Sequence, residues 1–209
     1  MSAILTERQR LVITGFGPFG HHAHNPSWDV ARAFADVLGH KAHHLSVTYT
    51  AAAQFAAAHL RSHPRQSTCF LHFGLRADGR HIDLEGRAIN ERDGRPDTVE
   101  ARHGASLPPA QTLVDAAPRV RSSGLDLPFL ADCYNQGRPA VMPTATTSDD
   151  CGRYVCNALY YHSLNACDRQ GAADSHALFI HVPAMTPVSA RRVGRYLANC
   201  WRPSSASQT

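Results

Sequence analysis

No segment of this chain of 209 residues approaches the ~20 consecutive apolar residues that a membrane-spanning helix requires. The N-terminal stretch from Met1 to Arg10 holds no apolar run of signal-peptide length. A cytoplasmic protein without a membrane partner is the expectation. Also missing is any block of roughly five or six like charges; the formal net charge of +4 is spread among acidic residues, which argues against a nucleic-acid partner. There is no internal repeat and no break in composition. With 43% hydrophobic residues the chain can bury one sizeable core, so a single domain over residues 1–202 is expected, followed by a disordered Ser-rich tail at 203–209. The six cysteines lack the close, regular spacing of a small secreted disulfide scaffold, and free thiols are expected.

What the sequence does contain is an alternation of two periodicities. Leu11 to Thr14 is a short β-branched run that ends at Gly15, Gly17 and Gly20, a buried strand entering a tight loop. Asn25-Pro26-Ser27-Trp28 opens a helix with Val30, Phe34, Val37 and Leu38 on one face. The spacing then predicts a strand over His44–Thr48, a helix over Ala51–Arg61 and a fully buried strand over Thr68–Phe73. Further on it predicts a strand over Ala140–Met142, a helix over Gly152–Leu164, a strand over Ala177–Val182 and a last helix over Ala190–Trp201. Strands alternating with helices of this length imply an α/β fold, three layers in one domain, with a mostly parallel twisted sheet flanked by helices. The polar stretch between Glu91 and Pro118 reads as a long surface loop, functional or mobile.

In such a sheet, ligands collect at the carboxyl ends of the strands. His181 stands near one such end, the glycine loop follows another, and Cys156 lies in the first turns of a helix. A helix N-terminus carries partial positive charge, which favours a thiolate. A thiolate facing an imidazole is a nucleophile with its base. One such pair among six Cys and fourteen His is by itself more often a packed thiol and a surface imidazole.

Three local patterns add what the pair lacks. They are Thr14-Gly-Phe-Gly-Pro-Phe-Gly20 with Asn25-Pro-Ser-Trp28; His72-Phe-Gly74 with Ile82-Asp-Leu-Glu-Gly-Arg-Ala-Ile-Asn90; and Gly152-Arg-Tyr-Val-Cys-Asn157 followed by Phe179-Ile-His-Val-Pro183. Together and in this order they resemble the signatures of the pyroglutamyl peptidase I family of cysteine peptidases. The resemblance implies an exopeptidase that cleaves the amide bond after an N-terminal pyroglutamyl residue through a thioester, acting on peptides and needing neither cofactor nor metal. It implies that Cys156 is the nucleophile, His181 the general base and Glu85 the carboxylate that orients the imidazole. It also implies that Phe16, Phe19, Tyr154 and Val155 line the pyrrolidone pocket, that Asn25 supports it, and that the backbone at Leu75 holds the lactam. Relatives often form dimers or tetramers, so a homo-oligomer is possible. Such a pocket suits a small uncharged lactam, whose methylenes want apolar walls and whose amide wants a few backbone partners.

The chain departs from the family pattern in two places. Gly94-Arg-Pro-Asp97 lacks the Ile of the family's Arg-Ile-Pro-Asp-Asn segment, an apolar residue that helps close the pocket, and Asp149-Asp150-Cys151 precedes Gly152 where bacterial members often carry Thr-Ala. Cys151 reads as a packed or semi-exposed thiol. Rival readings of single features are weaker. The loop from Gly15 to Gly20 lacks the order of a nucleotide motif, and Pro18 removes a backbone donor. His21, His22 and His24 have no adjacent Cys or carboxylate to complete a tetrahedral metal set. Two alternatives stay open: a Cys-His-Glu amidase of the same fold with another cyclic or amide substrate, and a catalytically silent binding module.

Overall fold

The computed structural model describes residues 9–63, 66–104, 110–170 and 175–201. The element order is β1 (Arg10–Phe16), α1 (Pro26–Val37), β2 (Ala42–Leu45), α2 (Tyr49–Ser62), β3 (Thr68–Arg76), β4 (Ile82–Glu85), β5 (Arg87–Ile89), β6 (Arg92–Asp93), β7 (Ala110–Gln111), β8 (Val120–Ser122), α3 (Leu127–Asn135), β9 (Ala145–Ser148), α4 (Val155–Gln170), β10 (His176–Pro183) and α5 (Pro187–Trp201). Six strands form one sheet in the order β2-β1-β3-β10-β4-β9. Strands β2, β1, β3 and β10 run parallel, β4 pairs antiparallel to β10, and β9 runs parallel to β4. The α/β architecture with a mostly parallel sheet is therefore as expected, with an antiparallel step added at one side.

The central strands read as unbroken apolar runs because both faces are covered. Helices α1, α3 and α5 pack on one face around Leu71, Phe73, Ile180 and Val182. Helices α2 and α4 cover the other, around Phe70 and Phe179. Helix α1 starts where Asn25 accepts a hydrogen bond from the Ser27 amide, with Pro26 in its first turn. Thr48 caps α2 in the same way, accepting from the Ala51 amide at 3.2 Å, so the strand expected to run to Thr48 stops at Leu45.

The structure corrects several boundaries. Ala140–Met142 is a turn, with the Met142 amide donating to the Pro139 carbonyl at 2.9 Å and Val141 81% exposed. The strand comes later, at Ala145–Ser148, because Pro139 and Pro143 bracket the apolar triplet and proline cannot serve a ladder. Helix α4 begins at Val155 instead of Gly152, whose φ of +75° lies outside helical space. The stretch read as one loop holds a small ribbon, β6 paired with β7, and a 3-10 turn at Glu100–His103. Neither β4 nor α3 is foreseen by periodicity. The expected tail at 203–209 lies outside the described residues.

Helix α5 crosses α1 closely at Gly194, where an added Cβ would press into the Val30 carbonyl oxygen and lie 3.1 Å from the Ala33 side chain. Gly194→Ala is expected to destabilise the fold by about 1–3 kcal/mol, the usual cost of overpacking. Urea denaturation of the two proteins measures this.

Candidate active site

The two-residue period of the strands sorts side chains between the faces. On β10, Leu178, Ile180 and Val182 face α1 and α5, so Phe179 and His181 face α4. On β4, Ile82 and Leu84 join the first face, which leaves Asp83 and Glu85 on the α4 side. In the antiparallel register His181 stands opposite Asp83 and Phe179 opposite Glu85. Glu85 is therefore the diagonal neighbour of His181, within reach of a long side chain. His181 Nδ1 and Glu85 Oε1 are 2.7 Å apart, and Glu85 is fully buried.

A carboxylate taken out of water needs compensation. Arg76 supplies it, donating from Nη2 to Glu85 Oε1 at 3.0 Å and from Nη1 to Asp83 Oδ2 at 2.8 Å. The same Nη2 reaches the Asp150 carbonyl at 2.5 Å. The second carboxylate oxygen, Glu85 Oε2, has no hydrogen-bond partner among the described residues. The Tyr160 hydroxyl donates to the Glu85 backbone carbonyl at 2.7 Å. The sequence reading missed Arg76; the available signal was a cation closing an otherwise apolar strand two residues after Gly74.

Cys156 occupies the first turn of α4 and opens onto the same cavity as His181. Room for it depends on Gly74, which lies opposite His181 in the β3–β10 ladder. A Cβ at position 74 would lie 2.6 Å from the Phe179 ring and 3.2 Å from the Cys156 sulfur. Asn157 holds the helix start in place: its side chain accepts from the Ile89 amide and donates to the Ile89 and Glu91 carbonyls, each at 2.8 Å. Burial and the nearby Glu85 carboxylate push the Cys156 thiol up to about 12, against the opposing pull of Arg76 and Arg95. Burial and the carboxylate thus oppose the thiolate that the helix N-terminus favours. The site holds a cysteine and an imidazole on one cavity, the imidazole bound through Nδ1 to a carboxylate.

The cavity encloses about 430 Å³. Phe16, Phe19, Asn25, Leu75 and Tyr154 line it together with Cys156 and His181. Val155 does not; it is fully buried and packs in the core on the α4 side of the sheet. Asn25 acts on the wall by donating to the Gly17 carbonyl at 2.9 Å, which ties the loop carrying Phe19 to the start of α1. The segment after Asn90 closes one side. Arg95 lies in the cavity wall with its guanidinium 5.0 Å from the Tyr154 ring centre and paired to Asp93. The Tyr154 hydroxyl donates to the Pro96 carbonyl at 3.1 Å, and Asp97 accepts from the Tyr49 amide at 2.8 Å. The segment is thus pinned at several points, with Arg95 in the cavity wall.

Two other histidine groups differ in their relation to this site: His72 lies in the core, whereas His22 of the His21, His22 and His24 group lines the cavity. His72 is fully buried between Thr14 and Ser163 at 2.9 and 2.8 Å, and burial lowers it to about 3, so it is a neutral core residue. In the His21, His22 and His24 group, His24 pairs with Asp29 at 2.8 Å and His21 stacks on His22. Among the described residues, the potential metal ligands that do converge are Glu85, Cys151 and His181. All six cysteines are free.

With this geometry in hand, comparison with known proteins is direct. Residues 9–199 match the pyroglutamyl peptidase family, peptidase C15. Pyroglutamyl-peptidase 1 of Rattus norvegicus is 29% identical over 196 residues, 91% of this chain and 87% of the relative. Pyrrolidone-carboxylate peptidase of Bacillus licheniformis is 28% identical over 181 residues, 84% of this chain and 78% of the relative. Among solved structures, the pyrrolidone carboxyl peptidase of Thermococcus litoralis superposes with a TM-score of 0.74 at 21% identity, covering 92% of each chain. Pyroglutamyl peptidase I of Bacillus amyloliquefaciens gives 0.74 at 20% identity, over 91% of this chain and 95% of the other. The structural matches share the fold; the family match spans the segments that carry Cys156, His181 and Glu85, and by it this chain belongs to the pyroglutamyl peptidase family.

Proposed function

We propose that this chain removes the N-terminal pyroglutamyl residue from peptides, with Cys156 as nucleophile, His181 as general base and acid, and Glu85 as the group that orients the imidazole. The observation that carries this reading is the convergence of Cys156 and His181 on one cavity, with Glu85 2.7 Å behind the imidazole. The cavity offers Phe16, Phe19, Leu75 and Tyr154 to the methylenes of a lactam ring.

Chemistry follows from the protonation states. The Cys156 proton passes to His181 as the sulfur attacks the pyroglutamyl carbonyl, and Glu85 stabilises the imidazolium that results. A carboxylate at this position discourages the free thiolate, so the proton leaves the sulfur as a carbonyl is presented to accept it. Amide donors at the start of α4, which lack partners within the helix, face the developing oxyanion. His181 then gives its proton to the departing amine as the C–N bond breaks. Water, deprotonated by the same imidazole, hydrolyses the thioester and frees pyroglutamate.

Turnover of a pyroglutamyl-amide that releases a fluorescent amine is the direct test. Cys156→Ala is expected to abolish release, and His181→Ala to lower it by at least about 100- to 10,000-fold, the range for loss of an acid–base group. A folded wild-type protein with no turnover would overturn the reading. Glu85→Gln is expected to lower kcat by about 100- to 10,000-fold with KM little changed, because Glu85 stands behind His181 and is not among the residues that line the cavity. Gly74→Ala places a methyl group between Phe179 and the sulfur, so loss of turnover together with a lowered melting temperature is expected; unchanged kinetics would show that the thiol does not depend on that gap.

A further inference from the structure

The proposed reaction leaves two groups beside His181 unused. Cys151, buried and free, lies in the connection from β9 to α4 and opens onto the catalytic cavity. Its loop is fixed by the cation that grips Glu85, since Arg76 Nη2 holds both the Asp150 carbonyl and Glu85 Oε1. The second group is Glu85 Oε2, inaccessible to water and without a partner among the described residues, although an orphaned carboxylate oxygen in a buried site is costly. One sulfur, one imidazole nitrogen and one carboxylate oxygen from Cys151, His181 and Glu85 lie within 4.8 Å of one another. We propose that these three side chains form a binding site for a soft divalent cation of the zinc type, and that its occupation inhibits the enzyme.

The donor set selects the ion. A thiolate and an imidazole favour Zn²⁺ over Mg²⁺ or Ca²⁺, which prefer all-oxygen shells. Glu85 Oε1 is taken by Arg76 and His181, so Oε2 is the oxygen left for the metal. The cavity provides the entry path and a fourth coordination position for water. Binding exchanges the Cys151 S–H bond for an S–Zn bond, and the proton leaves to solvent. Nothing is oxidised. Inhibition follows because zinc on either His181 nitrogen blocks the Cys156 proton transfer, by occupying Nε2 or by displacing the Nδ1 proton so that Nε2 carries it, and a Glu85 carboxylate that ligates zinc no longer serves the imidazole alone. This role is separate from a cofactor: the peptidase reaction derived above uses no metal.

The test separates this site from zinc capture by the catalytic thiol and does not depend on turnover. Zinc binding to Cys156→Ala protein is measured by competition with a chromogenic chelator, beside the same protein also carrying Cys151→Ala. Cys156→Ala is expected to bind one zinc ion, and the added Cys151→Ala change to weaken binding by at least about 10- to 100-fold, the loss seen even for supporting partners of a metal ligand. Melting curves of both proteins establish that each is folded. Cobalt titration of the Cys156→Ala protein provides a readout that needs no change at Cys151, a thiolate-to-cobalt charge-transfer absorption being expected. Equal zinc affinity with and without Cys151, or no zinc and no cobalt–thiolate band in the Cys156→Ala protein, would overturn the proposal. In the active enzyme, the zinc concentration that halves turnover should rise by the same factor in Cys151→Ala.

Discussion

The contact on which the site rests is the 2.7 Å pairing of His181 with Glu85 inside the protein. A carboxylate with no exposed surface is tolerated only if the fold supplies counter-charge and hydrogen bonds in return. Much of the local architecture answers that demand: Arg76 turns back from the end of β3 to reach Glu85 and Asp83, and Tyr160 binds the Glu85 backbone from α4. Those same contacts fix the connection from β9 to α4 through the Asp150 carbonyl, and this connection leads into the nucleophile. The energetic problem of one buried charge and the geometric problem of aligning base and thiol have a common solution.

The antiparallel placement of β4 is what makes this possible. Had β4 run parallel to β10, Glu85 would still end a strand, but its register against His181 would differ. As it is, Phe179 faces Glu85 and His181 faces Asp83, so two carboxylates flank the imidazole and Arg76 bridges them. The sheet is parallel where it needs crossover helices and antiparallel where it needs this pairing.

Sequence patterns made the parallel part of the fold legible. The runs at Leu11–Thr14, Thr68–Phe73 and Ala177–Val182 are long, apolar and flanked by turn residues, and all three lie within strands buried on both faces. The short elements were hidden for physical reasons. Strand β4 has the alternation of a half-buried strand, but its polar positions are buried charges instead of solvated ones, so hydrophobicity gives no warning. The triplet Ala140–Met142 has strand composition, yet the prolines on either side leave it in a turn. Within the site, the motif resemblance pointed to residues that line the cavity, while Val155 falls behind the wall because the entry to α4 places Tyr154 and Cys156 on the cavity and the residue between them in the core. Arg76 and Asn157 escaped notice as functional residues since they act on backbone and on other side chains, which no local pattern records.

The proposed base and its carboxylate are 96 positions apart in the chain, and they meet only through β10, a strand near the C-terminal end of the sequence that sits in the middle of the sheet. A polypeptide emerging N-terminus first can make β1, β2 and β3 while its central strand is still missing. Until β10 inserts, there is no imidazole beside Glu85 and no completed wall for the cavity. A chain that has not yet placed β10 therefore lacks both the base and the wall that the proposed reaction requires.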